Sequence, residues 1–371
     1  MGRGDVLAVG SPAHTSALGE ASALPHTGEL GGARLFVYGF PSLYGGAGNE
    51  LLHQIAIWQS LGAEVHIIPS SSDYRESPLL PELVASGAIV HKPHDFPVID
   101  RDAPVFGFCN SAFLEQIDSI REHSSNTVFV NCMTWLFDLE LQRMEEGKIR
   151  TFLYQNDDVR VLHSAILQTL NASAPVNFLT FVPYFDVSRF PFVAERSQEY
   201  FGCGRISRQD ADKYAANTLL IYEYFVAPRL KRGLFLGFDE RSEQKIGRPY
   251  DWIRTAIDQN ECSQQDFYKH CEIVLQPSDT TENWPRVGLE AMASGSVLIV
   301  DNRGGWRRQV EHGVTGWLCN HERDFIYYAS KMAYEPELRM HMAIRARERV
   351  DSLAGPAVSR LSWLRVLETL L

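Results

Sequence analysis

Apolar runs rich in Val, Ile, Leu and Phe alternate with longer segments of helical period along most of the chain. No other feature narrows the possible folds as much. RLFVYGF (34–40) leads through a Gly-rich turn into NELLHQIAIWQSLGA, where Leu52, Ile55, Ala56 and Gln59 recur at helical spacing. EVHIIPS, APVFGF, NTVFVNC, RTFLYQN and FLTFVPYF repeat the strand pattern, interleaved with segments such as FLEQIDSIREH. Continuous apolar strands separated by helices predict α/β architecture, with parallel sheets covered on both faces. The pattern breaks at DVSRFPFVAERSQ and restarts with EYFGCGRIS, RGLFLGF, EIVLQPS and SVLIVD, followed by a helical C-terminus. That reads as two α/β halves hinged near residue 190, and 371 residues suit two cores better than one. Such sheets take ligands at the carboxyl ends of their strands, so the cleft between the halves is the expected site.

Charge and cysteine usage exclude several classes. The formal net charge of −11 opposes nonspecific binding to nucleic acid or to an anionic membrane. No uncharged apolar run approaches the ~20 residues of a membrane span. Peripheral membrane contact stays open. Residues 1–32, rich in Gly, Ala and Ser, are expected to form a flexible leader, with an apolar patch too short for a signal peptide. None of the six cysteines forms a C-x-x-C pair, and several sit in strand-like runs (FGFCNS, VFVNCM, YFGCGR). Reduced, buried thiols in a cytoplasmic protein, with no zinc site, are the expectation. There is no cluster with metal-ligand spacing and no Asp-x-Asp among the inner strands.

One stretch concentrates the chemistry: ENWPRVGLEAMASGSVLIVDNRGG, residues 282–305. Glu282 stands ahead of a small-residue helix and Glu290 inside it. Eight helical residues span about 12 Å, roughly the distance from the sugar to the ribose of a bent nucleotide-sugar. A helix N-terminus between the two carboxylates would face a diphosphate with free amides and a positive dipole end. Pro285 suits the first helical position and Asn283 the cap. Taken alone, the same spacing also fits an ordinary capped helix with solvated glutamates.

The stretch EIVLQPSDTTENWPRVGLEAMASGSVLIVDNRGGWRRQVEHGVTGWLC resembles the donor-binding half of retaining glycosyltransferases of family 4, the glycosyl transferases group 1. Glu282 and Glu290 meet that family's E-x7-E motif. VPYFDVSRF is similar to its interdomain segment, FGCGRIS…DK to its phosphate clamp, and YGGAGNELLHQIAIWQSLGAEVHII to its first Gly-rich turn and helix. The likeness runs over residues 34–345. It implies the GT-B fold, two Rossmann-like domains facing each other across a cleft. The front, acceptor-side domain is expected over 33–190 and the nucleotide-sugar domain over 191–345, with a C-terminal helix over 346–371 crossing back.

The resemblance implies transfer of a hexose from a nucleotide-sugar, with UDP the expected nucleotide, to a small-molecule or glycan acceptor, with retention and without metal or cofactor. Glu282, Arg205 and Lys213 become the candidate catalytic residues, with Arg208 as a substitute for Lys213. Gly46, Ala47, Arg205, Lys213, Glu282, Trp284, Arg286, Val287 and Glu290 become the candidate donor contacts. Gly48, Asn110, Asn131 and Thr134 are the acceptor-side candidates. Asp157, Asp158 and the aromatics Tyr44, Trp135 and Phe137 stand near strand ends, while His53 and His66 read as packed residues. Two positions depart from the family. Pro285 replaces a common Gly and has no N–H to donate, and Met133 stands at or near a His position. A nucleotide-sugar hydrolase or epimerase, or a non-catalytic nucleotide-sugar-binding protein, remains the alternative.

Overall fold

The computed structural model describes residues 28–41 and 46–371. Tyr44, Gly45 and residues 1–27 of the expected leader lie outside the described residues, as do the side chains of Gly46 and Ala47. Among the described residues, thirteen strands form two sheets. The front sheet holds β1 (Arg34–Tyr38), β2 (Glu64–Ile68), β3 (Ile89–Val90), β4 (Val105–Phe108), β5 (Thr127–Asn131), β6 (Thr151–Tyr154) and β7 (Asn177–Thr180). The rear sheet holds β8 (Tyr200–Ile206), β9 (Leu230–Leu236), β10 (Ile253–Ala256), β11 (Ile273–Gln276), β12 (Val297–Asp301) and β13 (Gly316–Cys319). Every pairing is parallel.

The orders are β3-β2-β1-β4-β5-β6-β7 and β10-β9-β8-β11-β12-β13. Each reverses direction once, between β1 and β4 in front and between β8 and β11 behind, and such switch points open a crevice at the strand ends. The strands expected from apolar runs are present. β3 and β13 were not anticipated: Ile89–Val90 is too short to stand out, and GWLC sits where a helical C-terminus was expected.

The two halves meet earlier than residue 190. Tyr184 belongs to the front core, whereas Phe185 and Phe190 pack into the rear one. The return crossing comes later than residue 346. Ala346, Val350 and Ala354 of the Pro336–Ala354 helix remain in the rear core, and the Pro356–Leu370 helix carries Trp363 into the front core. Heptad-like apolar spacing in both helices shows which residues are buried but not against which domain. Leu30 is anchored as well, its amide donating to Leu61 O at 2.8 Å, so the attached chain begins inside the expected leader.

The Gly46–Ser60 helix is buried nearly all round, beyond the one stripe seen in its sequence. Gln54 is the reason it tolerates this. Its Nε2 donates to Glu50 Oε1 at 2.8 Å, while its Oε1 accepts from Tyr184 N at 3.1 Å and Trp363 Nε1 at 2.8 Å. One amide thus satisfies the helix, the crossover and the returning C-terminal helix, as a buried polar group requires.

Candidate functional site

The carboxyl ends of both switch points open into one cavity of about 550 Å³. Tyr38, Phe108 and Cys109 line it from the front sheet, and Arg205, Ser207 and Gln276 from the rear one. Among its lining residues are four cations, Arg205, Arg208, Lys213 and Arg286, against two carboxylates, Glu50 and Glu282. A cleft with this excess inside a chain of net charge −11 selects anions locally.

Glu282 is the carboxylate that faces the cavity from the rear wall. Lys213 Nζ donates to both of its oxygens at 2.8 Å, with about a fifth of each side chain exposed. The Gly-Gly turn explains how Glu282 is held. Gly305 N donates to Glu282 O at 2.7 Å, and a Cβ on Gly305 would stand 2.0 Å from Asn283 O. A Cβ on Gly304, whose φ is +53°, would meet Glu282 O at 2.5 Å. Backbone lies on backbone here, and only glycine permits that approach.

The helix behind Glu282 runs from Arg286 to Ala293, with Pro285 as its N-cap. Asn283 is therefore not the cap. Pro285 is itself extended, at φ −71° and ψ 107°, and so is not the first helical residue; the helix starts only after it. Asn283 instead reaches across the cleft, its Nδ2 donating to Met133 O at 3.4 Å. Glu290 consequently sits little more than one turn into the helix and is 5% exposed. It is not among the cavity-lining residues. Its Oε2 accepts from Tyr268 Oη at 2.9 Å and from Gln264 Nε2 at 3.4 Å. Burial raises the Glu290 carboxyl, against the pull of Arg286.

Arg205, 1% exposed, lines the cavity but is tied into the protein. Its Nη1 donates to Pro277 O at 2.9 Å and Gln276 Oε1 at 3.1 Å, its Nη2 donates to Lys213 O, and it stacks over the Tyr214 ring at 3.9 Å. It fixes the backbone of Lys213, so the longer ISRQDAD spacing still delivers the lysine to Glu282. Arg208 pairs with Asp210 at 2.8 Å.

Arg286 joins the two domains. Its Nη1 donates to Glu50 Oε2 at 2.6 Å and its Nη2 lies 3.0 Å from His53 Nε2, both on the Gly46–Ser60 helix. Burial raises Glu50, with Arg286 opposing. Burial and then the Arg286 charge hold His53 well below the ordinary imidazole range, so the ring stays neutral beside the guanidinium. Glu50 was missed in the sequence because nothing in NELLHQ separates a helix-surface carboxylate from one facing another domain.

Residues 259–349 match the family model described as Glycosyl transferases group 1. Human alpha-1,3/1,6-mannosyltransferase ALG2 is 29% identical over 117 residues, 31% of this chain. The match spans 27% of the length of that relative. HepE of Anabaena, solved with UDP-glucose, superposes with a TM-score of 0.68 at 14% identity, covering 91% of this chain and 99% of that one. A glycosyltransferase from Rickettsia africae gives 0.69 at 12% identity, over 91% and 98%. The chain has the GT-B fold, and its residues 259–349 are similar to the group 1 glycosyltransferases.

The GT-B cleft gathers some of the remaining candidates and leaves others out. Trp284, Val287, Gly48, Asn110 and Thr134 line it. Gly46 and Gly48 fall within the first helix, although a turn ahead of it was expected. Asn110 caps the Ser111–Glu115 helix, accepting from Ala112 N at 2.9 Å and donating to Gly39 O. Asn131, fully buried, holds the turn after β5 by accepting from Met133 N at 3.0 Å. Thr134 Oγ1 donates to Thr281 O at 3.3 Å, from one wall to the other. Asp158 pairs with Arg308 of the rear domain, and Asp157 accepts from Thr180 and Arg160. Neither aspartate lines the cavity. His66 is packed as expected, stacked on Phe36 and bonded to Glu64 at 2.6 Å. Trp135 lines the mouth, 44% exposed and edge-on to Phe137. All six cysteines are free, but Cys109 and Cys132 are part-exposed on the cleft wall, contrary to the expectation that all are buried. No group of three or more His, Cys, Asp or Glu side chains fit to hold a metal occurs among the described residues, and no described helix is long and apolar enough to cross a membrane.

Proposed function

We propose that this protein transfers a hexose from a nucleotide-sugar, with UDP as nucleotide, to a small-molecule or glycan acceptor, retaining the anomeric configuration and using no metal. The observation that carries this reading is the convergence of four cations and Glu282 in one crevice at the switch points of both sheets. The pyrophosphate binds at the start of the Arg286–Ala293 helix. Since Pro285 offers no N–H, its oxygens take the amides of Arg286 and Val287 and the ammonium of Lys213. A departing nucleoside diphosphate gains negative charge in the transition state, and Lys213, positioned by Arg205, stabilises it there.

Glu282 exchanges part of its contact with Lys213 for the hydroxyls of the donor sugar, and so positions the sugar without attacking it. Glu290, outside the cleft lining and held through Oε2 by Tyr268 and Gln264, supports the wall at the ribose end from behind. The acceptor enters past Trp135 and attacks on the leaving-group face, with a phosphate oxygen taking its proton. A retaining hydrolase would need two carboxyl groups about 5–5.5 Å apart across one bond. Glu282 lines the cleft and Glu290 does not, which favours transfer over that alternative. Six free thiols suit the reducing cytoplasm as the setting.

A panel of nucleotide sugars followed by NMR in the presence of a chelator tests this reading. One UDP-sugar should be consumed slowly without acceptor, releasing sugar of the donor's anomeric configuration. An inverted product, dependence on added metal, or no nucleotide sugar bound in the cleft overturns it.

A further inference from the structure

Two thiols stand side by side on the front wall. Cys109 follows β4 and Cys132 follows β5, and both line the cavity. Phe108 pairs with Val130, and Cys109 N donates to Val130 O at 2.9 Å, so Cys132 lies diagonally across from Cys109. Strands about 4.8 Å apart rising about 3.3 Å per residue put the two Cα atoms about 6 Å apart, within the span a disulfide bridges.

Strict alternation would send these side chains to opposite faces of the sheet, because Cys132 packs on the same core as Phe108 and Val130. Cys109 escapes the alternation. Its φ of 47° lies in the left-handed region, which is uncommon for a residue with a Cβ, and it turns the sulfur toward its neighbour. The Cys132 side chain and amide act on Cys109 and, with the Arg208 charge from the rear wall adding to them, bring its thiol down to about 7 against the effect of burial. Cys109 and burial together hold Cys132 well up. One sulfur is thus a nucleophile and the other a proton-bearing partner.

We propose that Cys109 and Cys132 form a modification site for hydroperoxides on the cleft wall, with Cys109 the attacking and Cys132 the resolving sulfur. The Cys109 thiolate attacks one peroxide oxygen and the O–O bond breaks. The leaving alkoxide, or hydroxide from hydrogen peroxide, takes up the proton that Cys109 gave to solvent. Cys109 is then a sulfenic acid. The Cys132 sulfur attacks it, an S–S bond forms, and the sulfenic oxygen leaves as water with the Cys132 proton. Two thiols and one hydroperoxide become one disulfide, one alcohol or water, and one water, with two electrons passing from sulfur to oxygen. The bridge ties the ends of β4 and β5 together beside Met133 and Trp135, where it narrows the acceptor side.

The test reads sulfur and is independent of sugar transfer. The full chain is treated with limiting hydrogen peroxide, quenched with iodoacetamide and mapped by mass spectrometry. The Cys109 and Cys132 peptides should appear joined and lighter by two hydrogens, at a rate about tenfold above the other thiols at neutral pH, and a dithiol reductant should reverse this. In Cys132→Ser the Cys109 sulfenic acid should persist and be trapped by dimedone; in Cys109→Ser the Cys132 thiol should stay reduced. A bridge to any other cysteine, dimedone adducts on Cys132, or oxidation spread evenly over the six thiols overturns the proposal. The wild-type map decides even where a serine variant folds poorly.

Discussion

On the rear wall of the cleft, Lys213 and Glu282 hold each other at 2.8 Å with part of each still in solvent, whereas on the front wall Asn110 and Asn131 are engaged by backbone groups. The rear pair can trade its mutual contact for a ligand, because each partner keeps about a fifth of its side chain in solvent and neither carboxylate oxygen is claimed by a backbone group. The front asparagines cannot leave their partners without orphaning a helix end or a buried turn, at about 1–3 kcal/mol each. Ligand charge is therefore met behind. The front wall contributes shape, the exposed edge of Trp135, and two thiols. Polar residues at strand ends are common to both walls. What separates Lys213 and Glu282 from Asn110 and Asn131 is whether a backbone group has already claimed the side chain.

The strongest way to break this comparison is Glu282→Ala. Turnover should fall by about 10²–10³-fold with the thermal midpoint nearly unchanged, since the residue serves the ligand more than the fold. An equally large loss for Asn110→Ala, measured at matched stability, would erase the distinction between the walls.

Arg286→Leu comes next, because it strips Glu50 of its cation where the carboxylate is only 3% exposed. Breaking a buried pair from one side costs about 3–5 kcal/mol, read as a drop in the urea midpoint. Glu50→Gln added to it should recover part of the loss. The single-variant deficit should also shrink as the pH is lowered, because the raised Glu50 carboxyl then takes a proton. A pH-independent deficit would show that the clamp acts by packing alone.

The smallest effect belongs to Glu140, 1% exposed beneath the front wall, which accepts from Phe137 N at 3.1 Å and from Asn131. Burial raises it from 4.5 to about 7. A carboxyl raised in the folded state contributes stability that is complete below the unfolded pKa and is lost as pH rises through the folded one. The wild type should therefore lose about 3 kcal/mol between about pH 4.5 and 8, a slope that Glu140→Gln should flatten in denaturation curves. Identical slopes would sharpen the comparison in the other direction, by showing the front wall electrostatically inert.

Much of this molecule was legible before its coordinates. Strand–helix alternation implied two parallel sheets, and the E-x7-E stretch with its Gly-Gly turn marked the segment that supplies Glu282. Those signals are local: a strand buried on both faces must be apolar throughout, and a backbone crossing needs glycine. Contacts between distant segments were hidden. Glu50 and Arg286 are separated by 236 residues and meet only because the domains close on one another. Glu290 looks equivalent to Glu282 in the motif, yet Pro285 delays the helix and Tyr268 takes its carboxylate.

The sequence by itself determined which segments become strands and helices and which stretch carries Glu282, because backbone sterics and burial act within a few residues. Which polar groups stay free for a ligand, where the chain crosses between domains, and that two cysteines from successive strands line one cleft wall were decided only by the tertiary structure. A side chain's availability depends on the partner that distant packing brings to it.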